Sequence, residues 1–299
     1  MSYLPGTQAD DTLRGTIDGD LILGHRGNDT IIGRAGSDVL HGGGGNDFIA
    51  GDNYFLLTNP PEPLEYGPTL GSTPGPGSNL ILGGAGNDTV LAGYGANTVF
   101  GGAGDDSILG FGTIPSHNRE LAAAVPQHLF GGAGNDFVRG SSANDLLFGG
   151  AGQDRLQGST GADTLVGGAG QDVFLFGYLG IFTERDTAVG PGERDAIRDF
   201  RHGQDVIDIS GYFNHHAPPH GQPAGLFLGT GDFVVSYSMQ ARYDIEDGNT
   251  IIKISAPNGF RNADDPPEKP TIYWQEIELT GIHHLTASDF ILPGSVGPF

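Results

Sequence analysis

From Gly6 onward the apolar positions of the chain recur every nine residues, each one the centre of a short patch bounded by glycines and small polar residues. The pattern reads GTQADDTLR, GTIDGDLIL, GHRGNDTII, GRAGSDVLH and GGGGNDFIA without a slip from Gly6 to Ala50. It resumes as GGAGNDTVL, AGYGANTVF and GGAGDDSIL from Gly83, and again as GGAGNDFVR, GSSANDLLF, GGAGQDRLQ, GSTGADTLV and GGAGQDVFL from Gly131 to Leu175. The eighth position is apolar in every unit: Leu13, Ile22, Ile31, Leu40, Ile49, Ile81, Val90, Val99, Ile108, Leu129, Val138, Leu147, Leu156, Leu165 and Phe174. Positions seven to nine suffice for a short strand whose middle residue points inward while its neighbours point out. A fixed period of this length, held through five consecutive units twice, predicts stacked strands of a repeat architecture.

The first five positions of each unit are small, so the backbone is free to take positive φ and to turn tightly with its carbonyls directed at a cation. The sixth supplies the carboxylate. If each interruption replaces one loop, Gly51 to Leu82 is the sixth unit and Gly110 to Phe130 the tenth, which makes fifteen units. Odd units then carry Asp11, Asp29, Asp47, Asp88, Asp106, Asp136, Asp154 and Asp172. Even units carry Asp20, Asp38, Asn79, Asn97, Gln127, Asp145 and Asp163, so the even series loses its acid in the middle, where both interruptions also fall.

The repeated GGAGNDTVL pattern resembles the RTX, or haemolysin-type calcium-binding, nonapeptide G-G-x-G-x-D-x-U-x. The resemblance implies an all-β fold, a right-handed parallel β-roll in which two nonapeptides make one turn, so that odd and even units form opposite edges, with Ca²⁺ between stacked loops of the same edge. It makes metal ligands of the eight odd aspartates and of Asp20, Asp38, Asp145 and Asp163, with about seven ions on the odd edge and about one at each end of the even edge. The count for the roll is then about seven to nine ions, with further ones expected in the C-terminal region. Calcium suits sites made only of oxygen, whereas magnesium resists dehydration into an all-protein cage. Zinc would require His or Cys, which these loops lack.

Composition fits this picture. Glycine supplies 53 of 299 residues, without the every-third spacing of collagen. Thirty-six acidic against fourteen basic residues give a formal charge of −22, which argues against nucleic acid and anionic membranes and in favour of cations as partners. No cysteine is present, so a cross-link other than a disulfide is needed. Met1 to Asp10 has no basic and apolar leader pattern, and no run of 18 apolar residues occurs, so neither a cleaved signal nor a membrane span is expected.

Two insertions and a second region complete the chain. The first insertion, about 52–73, is stiffened by Pro60, Pro61, Pro63 and Pro68 and carries Tyr54, Phe55, Glu62, Glu65 and Tyr66. The second, about 111–125, predicts a short helix from Ser116 to Ala124 with His117, Arg119 and Glu120. Both sit on the even edge, where together they are expected to form a polar and aromatic pocket or to cover an edge that has lost its calcium sites. After Leu175 the register ends, which divides the chain into a roll over 1–175 and a region over 176–299, with strands expected at Phe233 to Tyr237 and Thr250 to Ile254. DAIRDFRHGQDVIDIS, from Asp195 to Ser210, and IELTGIHHLTASDFIL, from Ile277 to Leu292, resemble segments of serralysin-type C-terminal domains. That resemblance implies a β-rich cap on the last turn of the roll and export by type I secretion machinery, and it offers Asp195, Asp199 and Asp205 as further calcium ligands, the alternative being a solvated or strand-ending role.

The sequence contains no H-E-x-x-H zinc-protease motif and no G-x-S-x-G elbow. His215, His216 and His220 lie among prolines in an expected loop, and His283 and His284 precede the last strand, where a surface role is expected. Two functions remain. The favoured one is a secreted calcium-binding protein that folds on Ca²⁺ outside the cell and acts as a binding or structural module of the extracellular space or cell surface. The alternative is an epimerase-like or lyase-like enzyme acting on extracellular polysaccharide, with acid and base groups from the insertions.

Overall fold

The computed structural model describes residues 1–52, 77–93, 95–110, 125–177, 190–210, 225–232, 239–255 and 274–292. Apart from Asp52 and Val125, both insertions lie outside the described residues, as do the expected helix at Ser116 to Ala124, the expected strand at Phe233 to Tyr237, and His215, His216 and His220. The chain forms two compact units, Met1–Ser141 and Ser142–Phe299. Among the described residues no helix is long and apolar enough to cross a membrane.

In Met1–Ser141 the chain alternates between two parallel sheets. One holds β1 (Tyr3–Pro5), β3 (Leu21–Arg26), β5 (Val39–Gly44), β7 (Leu80–Ala85), β9 (Thr98–Ala103) and β11 (His128–Ala133), in that order. The other holds β2 (Thr12–Arg14), β4 (Thr30–Ile32), β6 (Phe48–Ala50), β8 (Thr89–Leu91), β10 (Ser107–Leu109) and β12 (Phe137–Arg139). Equivalent positions of the nine-residue unit stand opposite one another, as in Ile22 against Leu40, Leu40 against Ile81 and Ile81 against Val99. This is a parallel β-roll, and its register explains the sequence pattern. The eighth-position residues from Ile22 to Val138 have no exposed surface, and only Leu13, in a strand at the end of its sheet, is partly open. Such strands are too short to stand alone, and each buries its single inward residue only because neighbours stack on both sides.

Ser142–Phe299 is built in the same way, with β13 (Leu146–Ala151), β15 (Thr164–Ala169) and β17 (Asp195–Ile197) in one sheet. The other has β14 (Arg155–Gln157), β16 (Val173–Leu175), β18 (Val206–Asp208) and β23 (Phe290–Ile291). The parallel stacking therefore runs past Leu175, where the sequence register stops: Leu165 stands opposite Ile197, and Phe174 opposite Ile207. The first sheet is then extended by β22 (Trp274–Leu279), β21 (Asn249–Ser255), β20 (Met239–Glu246) and β19 (Gly225–Phe227). The strand expected over Thr250 to Ile254 is β21. β22 adds parallel to β17 and then pairs antiparallel with β21, so the open edge of the repeat stack in this unit is covered by an ordinary meander. The segments 195–210 and 277–292 meet here, with Asp195 opposite Ile277 and Ile207 opposite Phe290.

Candidate metal centre

The turns between strands place the sixth-position side chains in rows. Along each row the side-chain Oδ1 of one residue accepts the backbone N–H of the equivalent residue one turn earlier. In Met1–Ser141 the odd row runs Asp11 to Asp29 (2.8 Å), Asp29 to Asp47 (2.8 Å), Asp47 to Asp88 (2.7 Å), Asp88 to Asp106 (2.8 Å) and Asp106 to Asp136 (2.8 Å). The third and fifth of these bonds bridge the two insertions, so the residues flanking each insertion share an edge. The even row runs from Ser2 to Asp20 (2.8 Å), Asp20 to Asp38 (2.8 Å), Asp38 to Asn79 (2.9 Å) and Asn79 to Asn97 (2.8 Å).

In Ser142–Phe299 the pattern repeats. Asp145 donates its N–H to Asp163 (2.7 Å) and Asp163 to Asp195 (2.8 Å), while Asp154 donates to Asp172 (3.1 Å) and Asp172 to Asp205 (3.2 Å). Asp195 and Asp205 thus stand in the rows as sixth-position residues. Asp199 does not: its carboxylate takes the N–H groups of Gly167 and Gly168 at 2.9 and 2.8 Å, ending a strand edge.

The second carboxylate oxygen decides the chemistry. Oδ2 of Asp29, Asp38, Asp47, Asp88 and Asp106 is enclosed and has no hydrogen-bond partner, in residues no more than 2% exposed. An ionised carboxylate left so costs several kcal/mol, on the order of the penalty for any uncompensated buried ion. Burial, with neighbouring carboxylates adding to it, pushes Asp88 up to about 7 and Asp38 and Asp106 up to about 6, and raises Asp47 as well. Asp20, by contrast, is held below its usual value: burial pushes upward, but hydrogen bonds from Thr16 and Ser2 outweigh it. The unsatisfied oxygens call for a cation or a proton.

Glycine at the first position leaves room beside each of them. A Cβ on Gly24 would run into Asp29 Oδ2 and the carbonyl oxygen of Gly42, and one on Gly83 would meet Asp88 Oδ2 and the carbonyl of Gly101. Among the described residues no three His, Cys, Asp or Glu side chains gather at one point, so a cation between two stacked loops would complete its shell with backbone carbonyls. Carboxylates and carbonyls are what Ca²⁺ accepts and what Zn²⁺ does not favour. The donor set fits calcium.

Two features were not legible from the sixth position alone. The fifth position forms an outer ladder of its own on the odd edge: Asn28 N–H donates to Asp10 Oδ1, Asn46 to Asn28, Asn87 to Asn46, Asp105 to Asn87 and Asn135 to Asp105, at 2.7 to 2.9 Å. The recurrent Asn-Asp dipeptide is its signal in the sequence. Where the even row has lost its acids, amides fill in: Asn97 Nδ2 and Gln127 Nε2 both donate to the carbonyl of Gly93, at 3.2 and 3.1 Å. Of the C-terminal histidines, His284 is exposed as expected, while His283 packs edge-on against Phe200 at 5.7 Å.

The family described as RTX calcium-binding nonapeptide repeat (4 copies) matches residues 5–40, 23–53, 73–108, 127–156 and 148–177, so the chain carries RTX calcium-binding repeats. No curated protein matches it. Among solved structures, the AlgE6R2 subunit of the Azotobacter vinelandii mannuronan C5-epimerase is similar at 23% identity over 66% of this chain and 93% of that one, with a TM-score of 0.24. The AlgE6R3 subunit of the same enzyme is similar at 23% identity over 78% and 93%, TM-score 0.25. The extracellular lipase LipA of Serratia marcescens is similar at 16% identity over 96% of this chain and 40% of that one, TM-score 0.22.

Proposed function

We propose that the RTX repeats of this chain hold rows of Ca²⁺ and that the protein is a secreted module which folds on calcium outside the cell and serves there as a binding or structural element. The reading rests on one observation above all: five aspartates with an enclosed carboxylate oxygen that no donor satisfies. Asp11, Asp29, Asp47, Asp88, Asp106, Asp136, Asp154 and Asp172 on the odd edge, and Asp20, Asp38, Asp145 and Asp163 on the even edge, are the ligands in this reading, for about seven to nine ions in all. Bound calcium supplies positive charge where carboxylates stack; the chain itself supplies the Oδ1 bonds that set their spacing and the glycines that keep the gaps open.

The same reading assigns the roll to residues 1–175 and a serralysin-like cap with the export region to 176–299, with type I secretion machinery as the partner in export. Coupled folding suits that route, since an unfolded chain passes a secretion channel where calcium is scarce and folds where it is plentiful. Equilibrium dialysis against millimolar Mg²⁺ with micromolar Ca²⁺ tests the metal assignment. Several Ca²⁺ per chain are expected, with a clear loss when Asp29, Asp47, Asp88 and Asp106 are all replaced by Asn. Equal retention by that variant would contradict the assignment, and turnover of an acidic polysaccharide by the calcium-loaded protein would contradict the role as a module without catalysis.

A further inference from the structure

The odd row of Ser142–Phe299 ends differently from the way it runs. At Asp172 and Asp205 the Oδ1 bond of the row is kept, but a side chain also occupies the space between the two loops. Arg201 Nη2 donates to Asp172 Oδ2 at 3.1 Å, to Asp205 Oδ1 at 3.0 Å and to the carbonyl of Gly170 at 2.7 Å. Its Nε and its own backbone N–H both donate to Asp205 Oδ2, at 3.2 and 2.7 Å. Gln204 Nε2 adds a second donor to the Gly170 carbonyl at 2.5 Å. One guanidinium thus touches two row carboxylates and one loop carbonyl, the oxygen types that line the gaps elsewhere.

We infer that Arg201 closes the row as a protein-borne cation, standing in the gap between Asp172 and Asp205 in place of a calcium ion. The inference rests on the calcium reading of the other gaps and adds to it where the metal row stops. The guanidinium halves the charge of the gap: two carboxylates face one permanent positive charge, which does not dissociate at any accessible pH. A planar fork of donors also matches a carboxylate better than a lysine ammonium would. The amides of Asn97 and Gln127 on the Gly93 carbonyl follow the same logic in neutral form, with an N–H donor where the acid of the unit has been lost. The consequence is a terminal turn whose charge is partly offset without metal, next to turns with no such side chain on the described row.

Calcium counting on the full chain separates the possibilities. Asp205→Asn in the otherwise native protein is expected to leave the number of bound Ca²⁺ unchanged, because no ion sits in its gap. Arg201→Gln, which vacates the gap and leaves both carboxylates, is expected to bind one Ca²⁺ more than the native chain and to lose that extra ion again when Asp205→Asn is added. Loss of one ion in the Asp205→Asn single variant, or an unchanged count in Arg201→Gln, would overturn the assignment of Arg201. Should Arg201→Gln fail to fold, the Asp205→Asn count decides alone. A native chain that binds no Ca²⁺ would instead overturn the calcium reading on which this one stands.

Discussion

Asp106 and Asp11 hold the same place in the nine-residue unit and live in different surroundings. Asp106 is 2% exposed, gives its N–H to Asp136, takes that of Asp88, and has an Oδ2 with no donor. Asp11 lies in the first turn, and its Oδ2 is already satisfied by the backbone and hydroxyl of Thr7. An interior aspartate faces a gap on either side, whereas a terminal one faces a single gap. Each site lost removes about 2.7 kcal/mol of linkage at a hundredfold excess of Ca²⁺ over its dissociation constant. Asp106→Ala is therefore expected to raise the Ca²⁺ midpoint for folding clearly more than Asp11→Ala, with Asp163→Ala between them. Calcium titrations of the three variants followed by circular dichroism check the order, and Asp11→Ala proving the most damaging would refute it. At this scale the sequence was transparent for the sixth position, whose acid recurs in register. The role of Arg201 was opaque, because nothing in the string FRHGQD shows that its side chain turns back toward Gly170.

Strands were legible wherever glycine and an apolar eighth residue recurred together. They were harder to see after Leu175, since Phe200 stands where the register wants glycine and residues 176–189 interrupt the count; the remaining signals, Asp195-Ala-Ile and Asp205-Val-Ile, are three residues each. What holds those last strands is partly electrostatic. Arg194, beside β17, is buried and donates to Glu276 at 2.9 Å and to Glu278 at 3.1 Å, both on β22. Such a pairing of distant segments has no periodic signature, so the residues that join β17 to β22 were not legible in the sequence. Removing one partner of a buried ion pair leaves the other uncompensated, at a cost of about 3 kcal/mol or more. Arg194→Ala is expected to destabilise Ser142–Phe299 by about that amount in denaturant melts of the calcium-loaded protein, and a variant as stable as the native chain would show that β22 docks on apolar contacts alone.

Across the whole molecule, at a charge of −22, the proposed reading makes folding of the roll depend on neutralisation of its stacked carboxylates. Protons are one means. Burial, with nearby carboxylates adding to it, holds Asp88 at about 7 and Asp38, Asp106 and Asp172 at about 6, against an ordinary value of 3.8. Groups raised in the folded state favour folding fully below 3.8, and their contribution is lost as the pH climbs through 6 to 7. The metal-free chain is accordingly expected to gain β-structure as the pH falls from about 7.5 to about 4.5, while the Ca²⁺ midpoint rises because protons compete for the same oxygens. A metal-free circular dichroism spectrum that stays flat over this range would contradict the pH argument. Whether calcium is part of the fold is decided by far-ultraviolet circular dichroism of the same sample in EDTA and then in millimolar Ca²⁺ at neutral pH. Residues 1–175 are expected to be largely disordered in EDTA and to gain β-structure cooperatively on Ca²⁺ addition, with Mg²⁺ a poor substitute; equal β content in EDTA and in Ca²⁺ would refute a calcium-dependent fold.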